Sequence, residues 1–235
     1  MTGRTFLVNS SVVVVAGRNN PGMFTAEFLA RNGVLADGDK VQEVTSSPAQ
    51  SRVAFGEGYR FESSANRITL ALQYQGELRE AGGDDVLDRR LTDNASALAE
   101  AVAVVQPQSL GINFRLILVE TSLRRLVKDG AVPATARPTQ ASFKLPGTST
   151  EAPDLILTFT KAALDVVREQ PMIIGGDGGG TESETGTGLV VDANYHHDFT
   201  PIASDYERAE AMGKRVRSRP QLLTELLASL DGFEL

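Results

Sequence analysis

Cysteine is absent from the 235 residues, and histidine occurs only twice. Without thiols the fold uses neither disulfides nor thiolate-bound metal, and a cysteine nucleophile is excluded. Redox chemistry then leaves the compartment open, and the expectation is cytoplasmic. Long hydrophobic runs are also missing. The longest, residues 12–16 and 101–105, have five residues each, against the roughly 20 a membrane helix needs, so no membrane association is expected. Asn9, Ser10 and Ser11 break up the apolar start of the chain, which argues against a secretory signal. Positive charge is in deficit as well: 23 Lys and Arg face 30 Asp and Glu, a net charge of -7. Nucleic-acid affinity is built from cations that neutralise phosphates, so general binding to DNA or RNA is disfavoured. Nor does the chain carry a Gly-x-Ser-x-Gly elbow, a His-Glu-x-x-His pair or a phosphate-loop lysine. No cofactor is expected.

What is present is a pattern of alternating strands and a few amphipathic helices. Residues 109–121, SLGINFRLILVET, place Ile112, Phe114, Leu116 and Leu118 on one face and Ile117 and Val119 on the other. That predicts a central strand covered on both sides. Residues 5–16 form a first core strand, and residues 51–55 and 59–63 form a hairpin around Gly56-Glu57-Gly58. Residues 66–75 alternate Ile68, Leu70, Leu72 and Tyr74 with polar neighbours, which predicts a third strand. The loop GRNNPG, residues 17–22, is turn chemistry, and no Gly-Lys-Ser/Thr follows it.

Thr25 is a candidate N-cap for a short helix ending at Asn32-Gly33. Residues 35–50 are expected to be a polar surface connection. Residues 76–90, with Gly82-Gly83 and Asp84-Asp85, lack apolar periodicity and are expected to be a partner-dependent segment. Leu91, Ala95, Leu98, Val102 and Val105 predict a helix over 92–105, stopped by Pro107. Later residues are expected to give a short helix at 122–128, irregular chain at 131–138, strands at 141–145 and 155–159, and a helical turn through 161–168. A hairpin with arms 172–174 and 188–195 follows. Ser204 and Glu207 fit a capping box, and Pro220 suits the first turn of a last helix striped by Leu222, Leu223, Leu226, Leu227 and Leu230.

Together these elements predict an α+β fold of antiparallel sheets with covering helices. They are arranged as two pseudo-symmetric halves, residues 1–108 and 109–235, packed as one globular unit. The order of helix, LGINFRLILVE, second strand set, LVVDANYHHDF and terminal helix resembles a sporadically distributed group of bacterial proteins of unknown function. That resemblance implies no activity and no catalytic residue.

Chemistry has few places to sit. Residues 175–188, GGDGGGTESETGTG, hold seven glycines and three carboxylates without a cation. They are expected to be a flexible hairpin tip, with a lid as the alternative, since the carboxylates repel phosphate. Asp192, His196, His197 and Asp198 concentrate both histidines. An Asp192/His196 pair on one strand face is the candidate for metal binding or acid-base catalysis, although a catalytic zinc typically has three protein ligands. Lys214, Arg215, Arg217 and Arg219 form a late basic cluster, and Arg124, Arg125 and Lys128 an earlier one. The favoured function is a noncatalytic protein-binding or assembly module. Ordinary core packing is the first expectation for the leucine stripe of the last helix; contact with a protein partner or another copy of the chain through Leu223 and Leu227 is the alternative that would make it an interface. The alternatives are a metal- or nucleotide-dependent hydrolase using Asp192 and His196, and a structure-specific nucleic-acid binder using Lys214 to Arg219.

Overall fold

The computed structural model describes residues 4–74, 79–81, 86–102, 105–119, 140–145, 153–169 and 181–230. The chain has an α+β fold: among the described residues ten antiparallel strands form one sheet, and helices pack on it. At its centre β1 (Arg4–Ala16) pairs with β7 (Pro107–Val119), in register from Val12–Ile112 to Val15–Ser109. Outward from β1 lie β5 (Arg67–Gln73), β4 (Tyr59–Ser64), β3 (Gln50–Phe55) and the edge strand β2 (Val41–Ser46). Outward from β7 lie β10 (Thr181–Asp198), β9 (Asp154–Glu169) and the edge strand β8 (Gln140–Leu145). A short β6 (Arg79–Glu80) pairs with Phe6 and Leu7 of β1. The boundary expected between residues 108 and 109 falls inside β7, and the sheet runs across it.

Strand alternation decides which face is dry. Val12 and Val14 of β1, Ile68, Leu70 and Leu72 of β5, Phe61 of β4, Leu110 to Leu116 at alternate positions of β7, and Val191, Ala193 and Tyr195 of β10 are all buried on one face. Each of the Val, Leu, Ile and Phe side chains among them contributes roughly 1.5–3 kcal/mol when fully buried. Three long helices cover this face: α2 (Val86–Ala101), α3 (Asp205–Arg217) and α4 (Arg219–Leu230). They supply Leu91, Ala95, Leu98, Met212, Val216, Leu222 and Leu226 to the same core. The short α1 (Ala26–Arg31) adds Leu29, and the preceding 3-10 turn ends at Phe24, whose ring lies 5.3 Å from that of Phe61.

Local chemistry sets the element ends. Thr25 Oγ1 accepts the Phe28 amide at the start of α1, and Ser204 Oγ accepts the Glu207 amide at the start of α3. The β3–β4 turn requires glycine at position 58. Its φ is +90°, and a Cβ there would stand 2.2 Å from the Gln73 carbonyl oxygen, a distance no side chain tolerates.

Several expectations need correction. The connection over 35–50 contains β2, hidden from pattern reading because all six of its residues are exposed. Helix α2 begins at Val86, within the segment expected to be partner-dependent, and its first turns are anchored by charge. Arg90 bonds Asp39 and lies 5.0 Å over the Tyr59 ring. Residues 161–168 continue β9 instead of turning into a helix, because pairing with β10 from Lys161–Leu189 to Arg168–Glu182 outweighs their helical spacing. The last eight residues of the glycine-rich stretch, 181–188, are strand residues of β10. Strand β7 is dry throughout on one face, whereas the reverse is mixed: Ile117 is buried as expected, but Asn113 is half-buried and Arg115 exposed. The segments expected at 122–128, 131–138 and 172–174 lie outside the described residues.

Candidate functional site

The sheet face opposite the helices carries side chains that pair across strands. Asp192 and Arg115 are direct register partners on β10 and β7, and both guanidinium donors reach the carboxylate, Nε to Oδ1 at 2.7 Å and Nη2 to Oδ2 at 3.0 Å. This hydrogen bonding pushes the Arg115 pKa up against the opposing effect of burial. One pleat away, Asn194 Nδ2 donates to Asn113 Oδ1 at 2.6 Å, and Asn113 Nδ2 donates to Ser11 Oγ at 3.2 Å. The result is a polar ladder across β10, β7 and β1, held by two backbone registers. Among the described residues no helix packs over it. At one end of the same face Phe6, Ile117 and Val190 form a buried apolar row.

Beside the ladder, the β1–β5–β4–β3–β2 part of this face encloses a trough of about 410 Å³. Its floor is shallow where Ala54 and Ala71 present only methyl groups. Its walls are polar, with Asn9, Thr69 and Gln73 on one side and Gln42 and Glu43 on the other, and Arg60 and Glu62 lie between them. Glu62 is engaged by Arg52 at 2.9 Å. The side chains of Asn9, Arg60 and Gln73 make no hydrogen bond or ion pair among the described residues.

The residues singled out in the sequence fall in different places. Asp192 and His196 share the open face of β10, as alternation requires, but four residues of strand separate them by about 13 Å. Asp192 is occupied by Arg115, whereas His196 is exposed above Gly111. His197 points the other way, into the core, with 6% exposure, and stacks on Phe199 at 6.5 Å. Burial first, then the charges of Arg215 and His196, push its pKa down to about 4. Asp198 accepts the Thr200 amide and hydroxyl, which hold its pKa below the usual carboxylate range. Among the described residues no three His, Asp or Glu side chains converge as a metal-binding group. Leu223 is buried on α4, and Leu227 is half-buried against the same core.

The late basic cluster divides. Lys214 and Arg217 are exposed, whereas Arg219 is wholly buried. Its guanidinium bonds both carboxylate oxygens of Asp88 on α2, Thr92 Oγ1 at 3.1 Å and Ser10 Oγ at 2.5 Å, and lies 5.0 Å from the Phe114 ring centre. Ser10 in turn donates to the Asn113 carbonyl at 3.0 Å. Neither this network nor the trough stood out in the sequence. For β7 the signal was available, since Asn113 and Arg115 break its apolar run. For Arg219 there was none, because Asp88 is 131 residues away.

No protein-family model matches the chain, and no curated protein matches it.

Proposed function

We propose that this protein is a noncatalytic protein-binding module that presents the open face of its sheet to a partner. The observation that carries this reading is the trough beside a self-paired ladder. The central polar groups pair with one another across the strands, while Asn9, Arg60 and Gln73 along the trough offer donors and acceptors that have no side-chain partner among the described residues. Preformed, unpaired polar groups on a rigid scaffold give specificity at low ordering cost. We keep the expected cytoplasmic setting.

The hydrolase alternative has less support, because Arg115 holds both oxygens of Asp192 and His196 stands well along the strand. The nucleic-acid alternative loses Arg219 to the core. Binding through Leu223 and Leu227 is also less favoured, since both already pack against the protein's own interior.

Affinity capture from the native cell tests the proposal, with the wild-type chain compared against Arg60→Glu combined with Thr69→Lys. A partner retained by the wild type and lost by the variant is expected. Hydrolytic activity abolished by His196→Ala would overturn it.

A further inference from the structure

Strand β2 is the open edge of the sheet on the trough side, paired only with β3 among the described residues. Its backbone polarity follows from the turn that joins the two strands. The Ser47 amide donates to the Gln50 carbonyl at 2.8 Å, which makes 47 and 50 a hydrogen-bonded pair. Antiparallel ladders alternate, so Thr45 bonds to Arg52, and the amides and carbonyls of Ser46 and Val44 point away from β3.

The side chains on this edge are unusual too. Three large apolar side chains are exposed among the described residues: Tyr206 on α3, and Val41 and Val44, 38% and 51% exposed, on this one short strand. Val44 lies opposite Val53 and Val41 opposite Phe55, on the helix-covered face, so they extend the core's apolar surface past its last covered strand. Glu43 lies opposite Ala54 on the other face and forms the trough's outer wall, without a charged partner among the described residues.

Open edges invite pairing, and proteins commonly guard them with lysine, proline or a bulge. Here β2 contains neither lysine nor proline. A register shift at Gln42 leaves regular ladder only from Glu43 to Ser46. We propose that β2 is the docking edge for an extended segment of another protein, one that alternates apolar residues with lysine or arginine and adds to the sheet as a further strand. The segment's backbone meets the outward groups of Val44 and Ser46, its apolar residues cover Val41 and Val44, and its cations face Glu43. Charge selects this occupant over a second copy of the chain. Two-fold pairing of β2 with itself would bring Glu43 near its own counterpart and join two molecules that each carry -7, whereas a basic segment is drawn to the edge. The inference rests on the protein-binding reading and names the partner's chemistry.

The test uses an acetylated, amidated hexapeptide of alternating valine and lysine, titrated into the full chain by calorimetry. Wild type should bind. Glu43→Lys and Val44→Pro should each weaken binding about tenfold, the size expected for losing one ion pair or backbone hydrogen bond. Proline at 44 removes an outward donor without touching the β2–β3 ladder. Because a substitution can also disturb folding, a peptide N-methylated at alternate residues is the second probe. It leaves the protein intact and should not bind. Three results would overturn the proposal: no binding at millimolar peptide, binding indifferent to N-methylation and to Val44→Pro, or a wild-type dimer that Val44→Pro dissociates. A cellular partner captured equally by wild type and Val44→Pro would end this inference while leaving the protein-binding reading in place.

Discussion

Each face of the sheet holds an arginine–aspartate pair with bidentate geometry, yet the two pairs do different work. On the covered face, Arg219 and Asp88 are enclosed by α2, α4 and β1, and the guanidinium has no exposed surface. On the open face, Arg115 and Asp192 remain 54% and 39% exposed at their side chains. Water already solvates the second pair, so separating its partners costs little. The first pair was stripped of water when the helices closed, and either partner left alone would be a buried charge with nothing to compensate it. Identical chemistry thus fixes tertiary structure on one face and tunes a surface on the other.

The largest expected effect breaks the buried pair. Asp88→Ala should destabilise the protein by about 3–5 kcal/mol in urea denaturation. Replacing both partners, Asp88→Leu with Arg219→Met, should recover much of that loss, since well-packed apolar groups commonly match a buried pair. Next in size is a pH effect that distinguishes the adjacent histidines, whose side chains take opposite faces. His197 has a folded pKa near 4, below the ordinary value near 6.5. The unfolded chain therefore takes up a proton first as pH falls. Stability should be little affected above about pH 7 and decline towards pH 4, by on the order of 3 kcal/mol. Denaturation of His197→Phe should lack this decline, whereas His196→Gln should retain it. The smallest effect is on the open face: Arg115→Ala or Asp192→Ala should change stability by less than about 1 kcal/mol, and high salt should reduce even that.

How much of this was legible depended on how far apart the interacting residues lie. The β3–β4 hairpin, the Ile68-Leu70-Leu72 strand and the α4 leucine stripe were readable because their signals are periodic and local. Residues 161–168 were misread since Ala162, Leu164, Val166 and Val167 suit either period, and only the pairing with β10 decides. Strand β2 was missed because exposure on both sides leaves no alternation to detect. Within the candidate site, sequence placed Asp192 and His196 on one face, but nothing in it showed that Arg115 would claim the carboxylate. The trough was invisible for the same reason: Asn9, Glu43, Arg60 and Gln73 come from four strands and meet only when the sheet forms.

The reach of Arg219 also bears on how the chain matures during synthesis. Its ligands Ser10, Asp88 and Thr92 are made early and must wait for a side chain that follows them by 209, 131 and 127 residues. Until α4 has left the ribosome, Asp88 lacks the guanidinium that it bonds in the folded protein. Closure that depends on such distant parts of the chain is slow, and the half-made molecule is vulnerable to aggregation in the meantime. Arg219 therefore ties together parts of the chain that are made far apart in time, and it can engage Asp88 only after α4 has followed α2 out of the ribosome.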